Sequence, residues 1–273
     1  MAEGGGVAGC TLRACLVSSQ TDLVELDRSA DVATLILNRP ERHNSLVPAL
    51  LEGLLQHFET ITADRRVRAV VLAAEGRSFS TGGDVRAFFD SGDRVADYAL
   101  KTVGLLNEVI VAMLRLPQPV VAAAHGMVTG GSLGLLLASD VVLIAPEATI
   151  TPWYAVVGYS PDGGWVTLLP RILGPRRTGE IIMRNQTISA ESAVAWGLAA
   201  EVVPAGDIRD RAGSVASEMA SMVPGSIAAT RRLLWGDLDV VATDLEKERQ
   251  EFVAQIQADE AYTGMQRFLG RER

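Results

Sequence analysis

The segment PQPVVAAAHGMVTGGSLGLLLASD (residues 117–140) decides the fold class of this chain. Its apolar run at 119–124 predicts a buried strand, and the glycine-rich turn at 125–134 leads into a predicted short helix. A second apolar run at 140–145 predicts another strand. A strand, a helix and a strand in succession, with strands that need cover on both faces, indicate an α/β fold.

The sequence on both sides of this segment extends the pattern and then changes. Upstream, β-like runs alternate with helical patterns, whereas after residue 207 only helical patterns follow. We therefore predict a flexible leader at 1–20, an α/β core at 21–206 and a helical C-terminal region at 207–273. The upstream strands are predicted at 22–27, 32–38 and 67–73; the helices are predicted from Ser45 onward and at 85–89, 100–116, 207–222, 226–235 and 241–258.

The composition restricts the classes of function. The chain has 273 residues and a formal net charge of −8, and it contains no basic stripe of the kind that binds nucleic acid. Its two cysteines, Cys10 and Cys15, have no second pair or nearby histidine to form a metal site, and a reducing compartment is the simplest setting. No apolar stretch reaches the roughly 18 residues of a membrane span. We expect a cytoplasmic protein that binds no nucleic acid, membrane or metal.

The glycine-rich turn permits three interpretations. The pattern G-x-S-x-G at 130–134 matches a serine-hydrolase nucleophile elbow, but that site needs a histidine further along, and all three histidines lie upstream at 43, 57 and 125. A dinucleotide-binding turn normally follows the first strand, whereas this turn follows the fourth strand-like run. The third interpretation is that the turn aims backbone amides at a ligand, above all Gly131 at the start of a helix at 132–138. Close packing of helix against strand stays open as a structural alternative.

A second glycine turn, GRSFSTGGD at 76–84, favours the ligand-binding interpretation. Like the first turn, it follows a predicted strand and precedes a predicted short helix. Two such turns can present two backbone amides to one oxygen atom, which is the geometry of an oxyanion hole.

Six motifs in order carry a resemblance to a known family. They are LNRPERHNSL (37–46), GRSFSTGGDV (76–85), the segment 117–140, GYSPDGG (158–164), LPRILG (169–174) and SAVAWGLAAEVV (192–203). On these motifs the chain, from about residue 23 to 267, resembles the crotonase superfamily, the enoyl-CoA hydratase/isomerase proteins. The resemblance implies a spiral of β-β-α units and a helical C-terminal region that builds trimers, often paired into hexamers.

The resemblance also implies an acyl-CoA substrate and a set of site residues. The oxyanion amides fall on Gly83 and Gly131, and coenzyme A enters as part of the substrate, with no permanently bound cofactor. Asp84 also has a structural interpretation, as the cap of the helix at 85–89. The residues that the resemblance places along the substrate are Arg42, His43, Thr81, Asp84, Val85, Gly130, Tyr154 and Pro161.

Two departures from the family pattern concern hydration. A hydratase of this family uses two glutamates, one to activate water and one to deliver a proton. The matching positions hold Gly134 and Tyr154, and Glu147, the nearest carboxylate, comes seven residues too early. Each acid or base typically contributes about 10²–10⁴-fold to such a reaction. The sequence therefore argues against efficient water addition.

One carboxylate remains well placed, that of Asp162 in the motif at 158–164. The position resembles the catalytic aspartate of the ring-opening isomerases of phenylacetyl-CoA breakdown and of the aryl-CoA dehalogenases. We favour an isomerase in which Asp162, with a pKa raised by burial, removes and redelivers a proton, while Tyr154 lines the acyl pocket.

Four alternatives stay open for this carboxylate and for the chain. Asp162 could only shape a turn that caps a helix at 164–172. The chain could be a hydratase without the usual glutamates, or a non-catalytic acyl-CoA-binding subunit. Asp162 could also be a nucleophile of a dehalogenase or hydrolase type, although residues 90–116 lack the histidine that activates water in the dehalogenases.

Overall fold

The computed structural model describes residues 23–271, so the leader predicted at 1–20 lies outside the described residues. Nine strands occur in this part of the chain. They are β1 (Val24–Ser29), β2 (Val32–Leu37), β3 (Ala69–Ala74), β4 (Val120–Ala124), β5 (Met127–Thr129), β6 (Val141–Ile144), β7 (Thr149–Thr151), β8 (Ile188–Ser189) and β9 (Glu201–Val202).

Twelve α-helices accompany these strands within residues 23–271. They are α1 (Pro48–Ala63), α2 (Val85–Asp90), α3 (Val95–Arg115), α4 (Leu133–Leu137), α5 (Tyr154–Val157), α6 (Leu169–Leu173), α7 (Pro175–Met183), α8 (Ala190–Ala195), α9 (Ile208–Ser221), α10 (Pro224–Trp235), α11 (Leu238–Gln255) and α12 (Asp259–Phe268).

Six strands form one mixed sheet in the order β1-β2-β3-β4-β6-β9. The first two strands are antiparallel, and every later pair is parallel, with Val71 of β3 opposite Val121 of β4. All residues of β3 and β4 are buried, so both faces of the sheet need cover. Helix α9 packs on β3 and β4, and α1 packs on β1 and β2. The predicted α/β class is confirmed.

A second, small sheet lies beside the first, in the order β5-β7-β8. The sequence analysis missed its strands because each has only two or three residues, too few for a periodic pattern. Strand β5 lies inside the segment that was predicted to be only a glycine-rich turn. It runs parallel to β7 and so fixes the direction in which the chain leaves β4.

The helix predicted at 164–172 is wrong in its first part. Residues 163–168 form turns, and α6 begins only at Leu169. Gly163 and Gly164 have φ angles of 63° and 88°, a left-handed conformation that cannot continue into a right-handed helix. The turn that holds Asp162 is therefore followed by further turns and does not cap a helix.

The C-terminal region is helical as predicted, with one additional helix, α12. Helix α11 packs along α3, and α12 packs on α2 and α5. On α10, Leu233 and Leu234 expose 83% and 77% of their surface, which an association surface would cover. A trimer or hexamer stays a prediction. Among the helices of the described residues, none combines the length and apolarity needed to cross a membrane.

A buried ion pair joins the C-terminal region to the sheet. Arg231 of α10 is 3% exposed and is paired with Asp140, which precedes β6. The Arg231 guanidinium also donates to the carbonyl oxygens of Gln118 and Met113, each at 2.9 Å, and Asp140 accepts from the Val120 amide at 2.7 Å. These partners belong to α3 and to the segments that precede β4 and β6, so the pair fixes α10 against the middle of the main sheet and against α3.

We expect Arg231→Ala to destabilise the protein by about 3–5 kcal/mol, because it leaves the Asp140 carboxylate buried without its partner. Urea unfolding followed by circular dichroism measures this loss. Arg232→Ala is the matched control, since Arg232 is the exposed neighbour on the same helix. Equal unfolding free energies for the two variants would contradict the anchoring role of Arg231.

Candidate active site

The two glycine turns lie side by side where β3 and β4 end. The Ser80 amide donates to Met127 O at 3.1 Å, and the Thr129 amide donates to Ser80 O at 3.1 Å. A β-carbon on Gly82 would lie 2.4 Å from Thr129 O, a distance that no side chain could tolerate. Glycine is therefore required for the turns to approach this closely.

The two amides that the resemblance assigns to an oxyanion hole are those of Gly83 and Gly131. Around Gly83, the Leu46 amide donates to Gly82 O at 2.7 Å and the Asp84 amide donates to Leu46 O at 3.3 Å. Neither Gly83 N nor Gly131 N donates a hydrogen bond to another residue within 23–271. Gly131 was predicted to begin a helix at 132–138, but it lies in a single 3₁₀ turn, Gly130–Ser132, that precedes α4. The Gly131 amide is unpaired in this turn because an amide at the start of a helix comes before the first helical hydrogen bond.

Both free amides border one cavity of about 390 Å³, within the range of small-molecule sites. Of the predicted site residues, only Pro161 does not line it. The turn brings Asp162 to the cavity wall and leaves Pro161 off it, so the predicted substrate contact of Pro161 is not supported. The predicted residues that do line the cavity are Arg42, His43, Thr81, Gly83, Asp84, Val85, Gly130, Gly131, Tyr154 and Asp162.

The Asp162 carboxyl lies against Gly131, the residue that carries the second of these amides. A β-carbon on Gly131 would be 3.0 Å from Asp162 Oδ1 and 3.2 Å from Oδ2. Asp162 is 6% exposed, and burial, reinforced by the charge of Glu248, raises its pKa to about 7 against the opposing effect of a Tyr154 hydrogen bond. A carboxyl group with such a pKa can both accept and return a proton near neutral pH.

Tyr154 holds one oxygen of this carboxyl. Its hydroxyl donates to Asp162 Oδ1 at 2.6 Å and lies 3.0 Å from Asp162 O. Burial and the neighbouring Asp162 charge raise the pKa of Tyr154 well above its usual value, so the hydroxyl stays protonated and acts as a donor. Asp162 Oδ2 makes no hydrogen bond to another residue within 23–271. That oxygen is the one available for chemistry.

Glu248 of α11 fixes the backbone that follows Asp162. Its carboxylate accepts from the amides of Gly164 at 2.8 Å, Val166 at 3.2 Å and Thr167 at 2.7 Å. The indole of Trp165 donates to Gly130 O at 2.7 Å and so ties the same turn to the glycine turn. Glu248 is 3% exposed, and burial raises its pKa despite the three amide donors.

Sequence analysis missed Glu248, although a signal was present. The buried face of α11 contains Val241, Leu245 and Phe252, at helical spacing. Glu248 falls on that same face, in the middle of the helix. A carboxylate on an apolar stripe has to find hydrogen-bond partners in the interior, and here they are the amides of the Asp162 turn.

The positions of the hydratase glutamates are closed to carboxylates. A β-carbon on Gly134 would lie 2.5 Å from Gly163 O and 2.5 Å from Ile110 Cδ1, so no side chain fits there. Tyr154 fills the second position. Glu147 lies exposed in the loop between β6 and β7, away from the cavity wall.

Asp84 has a structural role that accounts for its charge. It caps α2 by accepting from the Ala87 amide at 3.2 Å, as the sequence predicted, and it is paired with Arg39 at 3.0 Å and Arg42 at 3.1 Å. Burial alone would raise the pKa of Asp84, but these hydrogen bonds outweigh burial and lower it. No group of three or more histidine, cysteine, aspartate or glutamate side chains within 23–271 is arranged to hold a metal ion.

Known proteins with similar sequences align over most of the length of this chain. The chain is 38% identical over 257 residues to the probable enoyl-CoA hydratase echA12 of Mycobacterium leprae, covering 91% of this chain and 86% of that one. It is 29% identical to 4-chlorobenzoyl coenzyme A dehalogenase-2 of an Arthrobacter species, covering 88% of each. It is 28% identical to 1,2-epoxyphenylacetyl-CoA isomerase of Escherichia coli K12, covering 80% of this chain and 84% of that one.

Solved structures of known proteins have the same fold as this chain. The crystal structure of an enoyl-CoA hydratase from Bacillus halodurans superimposes with a TM-score of 0.84 at 24% identity, covering 90% of this chain and 99% of the other. A sequence model described as enoyl-CoA hydratase/isomerase matches residues 27–273. The chain therefore belongs to the enoyl-CoA hydratase/isomerase family and has the crotonase fold, as the motifs predicted.

Proposed function

We propose that this enzyme is an acyl-CoA isomerase that moves a proton at the carbon next to the thioester. The Gly83 and Gly131 amides bind the thioester oxygen, and Asp162 removes the α-proton and returns it. The observation that carries this proposal is the contact between the buried Asp162 carboxyl and Gly131, because a carboxyl group beside this residue supports a role as the base next to the oxyanion hole.

The electrostatic part of the mechanism follows from the two free amides. Removal of the α-proton moves negative charge onto the thioester oxygen, which becomes enolate-like. Amide N–H groups that are already fixed in place stabilise that charge without rearranging, each by roughly 2.7–4 kcal/mol. Both amides come from turns that glycine alone can form, so this stabilisation is built into the backbone.

The proton-transfer part of the mechanism follows from the position of Asp162. The α-carbon is bonded to the thioester carbon, so a base must lie next to the oxyanion hole. Tyr154 occupies Oδ1 and thereby fixes the carboxyl, which leaves Oδ2 to accept the proton. With a pKa of about 7, the protonated acid can release the proton to a neighbouring carbon of the same acyl group.

Other reactions of the family fit this cavity less well. Hydration needs a carboxylate at position 134, where Gly163 O and Ile110 leave no space. Nucleophilic attack by Asp162 needs a base for water, and the one histidine on the cavity wall is His43, whose Nδ1 lies 3.0 Å from Ser78 Oγ. In a subunit without activity, the buried Asp162 carboxyl beside Gly131 would have no function.

We expect Asp162→Asn to lower α-proton exchange from a bound acyl-CoA in D₂O by about 10²-fold or more, because asparagine keeps the shape but cannot accept the proton. NMR of the recovered thioester measures the exchange, and calorimetry with acetoacetyl-CoA confirms that the variant still binds its ligand. Crotonyl-CoA hydration should be slow in the unaltered enzyme and insensitive to the change. Vigorous hydration that persists in Asp162→Asn would contradict the proposal.

The exchange rate should rise as pH increases through about 7, because the ionised Asp162 carboxylate is the base. Glu248→Gln should move the midpoint of this profile to lower pH, since it removes a negative charge that raises the pKa of Asp162. Glu246→Gln is the control: its carboxylate is on the same helix but is bound to Arg249 and should leave the midpoint unchanged. A midpoint that is the same in Glu248→Gln and the control would refute the electrostatic link.

A further inference from the structure

Three aromatic rings in mutual contact form one wall of the cavity. Phe88 of α2, Tyr159 of the Asp162 loop and Phe252 of α11 all line it. Their ring centroids are separated by 5.9 Å for Phe88 and Tyr159, 5.7 Å for Phe88 and Phe252, and 5.1 Å for Tyr159 and Phe252. Rings at these separations are in contact, so no channel passes between them.

This aromatic wall begins directly at the oxyanion glycines. A β-carbon on Gly83 would lie 2.7 Å from Phe88 Cε2, and a β-carbon on Gly131 would lie 2.7 Å from Leu106 Cδ2. Phe88 and Leu106 are 2% and 3% exposed. An acyl group whose thioester oxygen binds both amides therefore meets these two side chains within its first carbons.

The surroundings of this wall carry no positive charge. Leu46, Leu51 and Val103 also line the cavity and are almost fully buried. The hydroxyls of Tyr159 and Thr102 are polar but uncharged. The basic side chains on the cavity wall, Arg42, His43 and Arg86, are partly or largely exposed to solvent. An acyl group that carried its own carboxylate would have no partner here, and the Asp162 carboxylate would repel it.

We propose, resting on the function proposed above, that the substrate is the CoA thioester of a compact, uncharged acyl group, a short chain or a single ring, and that Phe252 sets the limit of its length. Phe252 touches both other rings but belongs to helix α11, outside the turns that hold the two amides and Asp162. Phe88, by contrast, packs on Gly83, and Tyr159 is three residues from Asp162 in the same loop. Phe252 is thus the part of the wall that can be shortened without disturbing the reacting groups.

The test compares α-proton exchange from butyryl-, phenylacetyl- and dodecanoyl-CoA by their kcat/KM values. The unaltered enzyme should favour butyryl- and phenylacetyl-CoA over dodecanoyl-CoA by on the order of tenfold or more. Phe252→Ala should raise the ratio of kcat/KM for dodecanoyl-CoA to kcat/KM for butyryl-CoA by on the order of tenfold. Phe252→Leu, which keeps more of the buried volume, should shift the ratio in the same direction by less.

Phe89→Ala is the matched control. Phe89 is the neighbour of Phe88, but it stacks on Tyr262 and does not line the cavity, so the ratio should stay unchanged. Equal kcat/KM values of the unaltered enzyme for dodecanoyl-CoA and butyryl-CoA would overturn this inference and leave the proposed function standing. Folded Phe252 variants with an unchanged ratio would do the same. Butyryl-CoA exchange that does not depend on Asp162 would instead overturn the proposed function.

Discussion

The close approach of two glycine turns is the constraint on which the rest of the site depends. The turns after β3 and β4 exchange backbone hydrogen bonds through Ser80, and a β-carbon at Gly82 would collide with Thr129 O. The Asp162 turn then packs onto them, where a β-carbon at Gly163 would lie 2.6 Å from Gly131 O. Three segments from different parts of the core thus meet at backbone distance. In the proposed mechanism, this contact forms the oxygen-binding site and brings the base beside it.

The C-terminal helices complete the site rather than only following it. On one face of α11, Glu248 binds the amides that follow Asp162, and Phe252, one turn further along, belongs to the aromatic wall of the cavity. The same carboxylate that fixes the turn also raises the pKa of Asp162 by its charge. In the proposed mechanism, a single helix thereby contributes to the position of the base, to its protonation and to the limit on the length of the acyl group.

Sequence alone could predict those parts of the site that have a local signature. A short continuous segment is enough to predict each of them: the glycine turns with Gly83 and Gly131, the cap at Asp84 and the departure from the family pattern at Gly134. The helical spacing of α11 indicated a buried Glu248, but the partners of Glu248 and Phe252 could not be assigned, because they lie more than 80 residues away in the chain and only packing brings them together. The turn geometry around Asp162 was missed for a related reason: its positive φ angles depend on contacts with the glycine turn and with α11.

The central claim is that one thioester contacts both free amides and Asp162 at the same time. A crystal structure with bound acetoacetyl-CoA tests it most directly. The account predicts a thioester oxygen about 2.7–3.1 Å from both Gly83 N and Gly131 N, with Asp162 as the carboxylate nearest the α-carbon. A thioester oxygen that contacts neither amide, or a different carboxylate at the α-carbon, would contradict it.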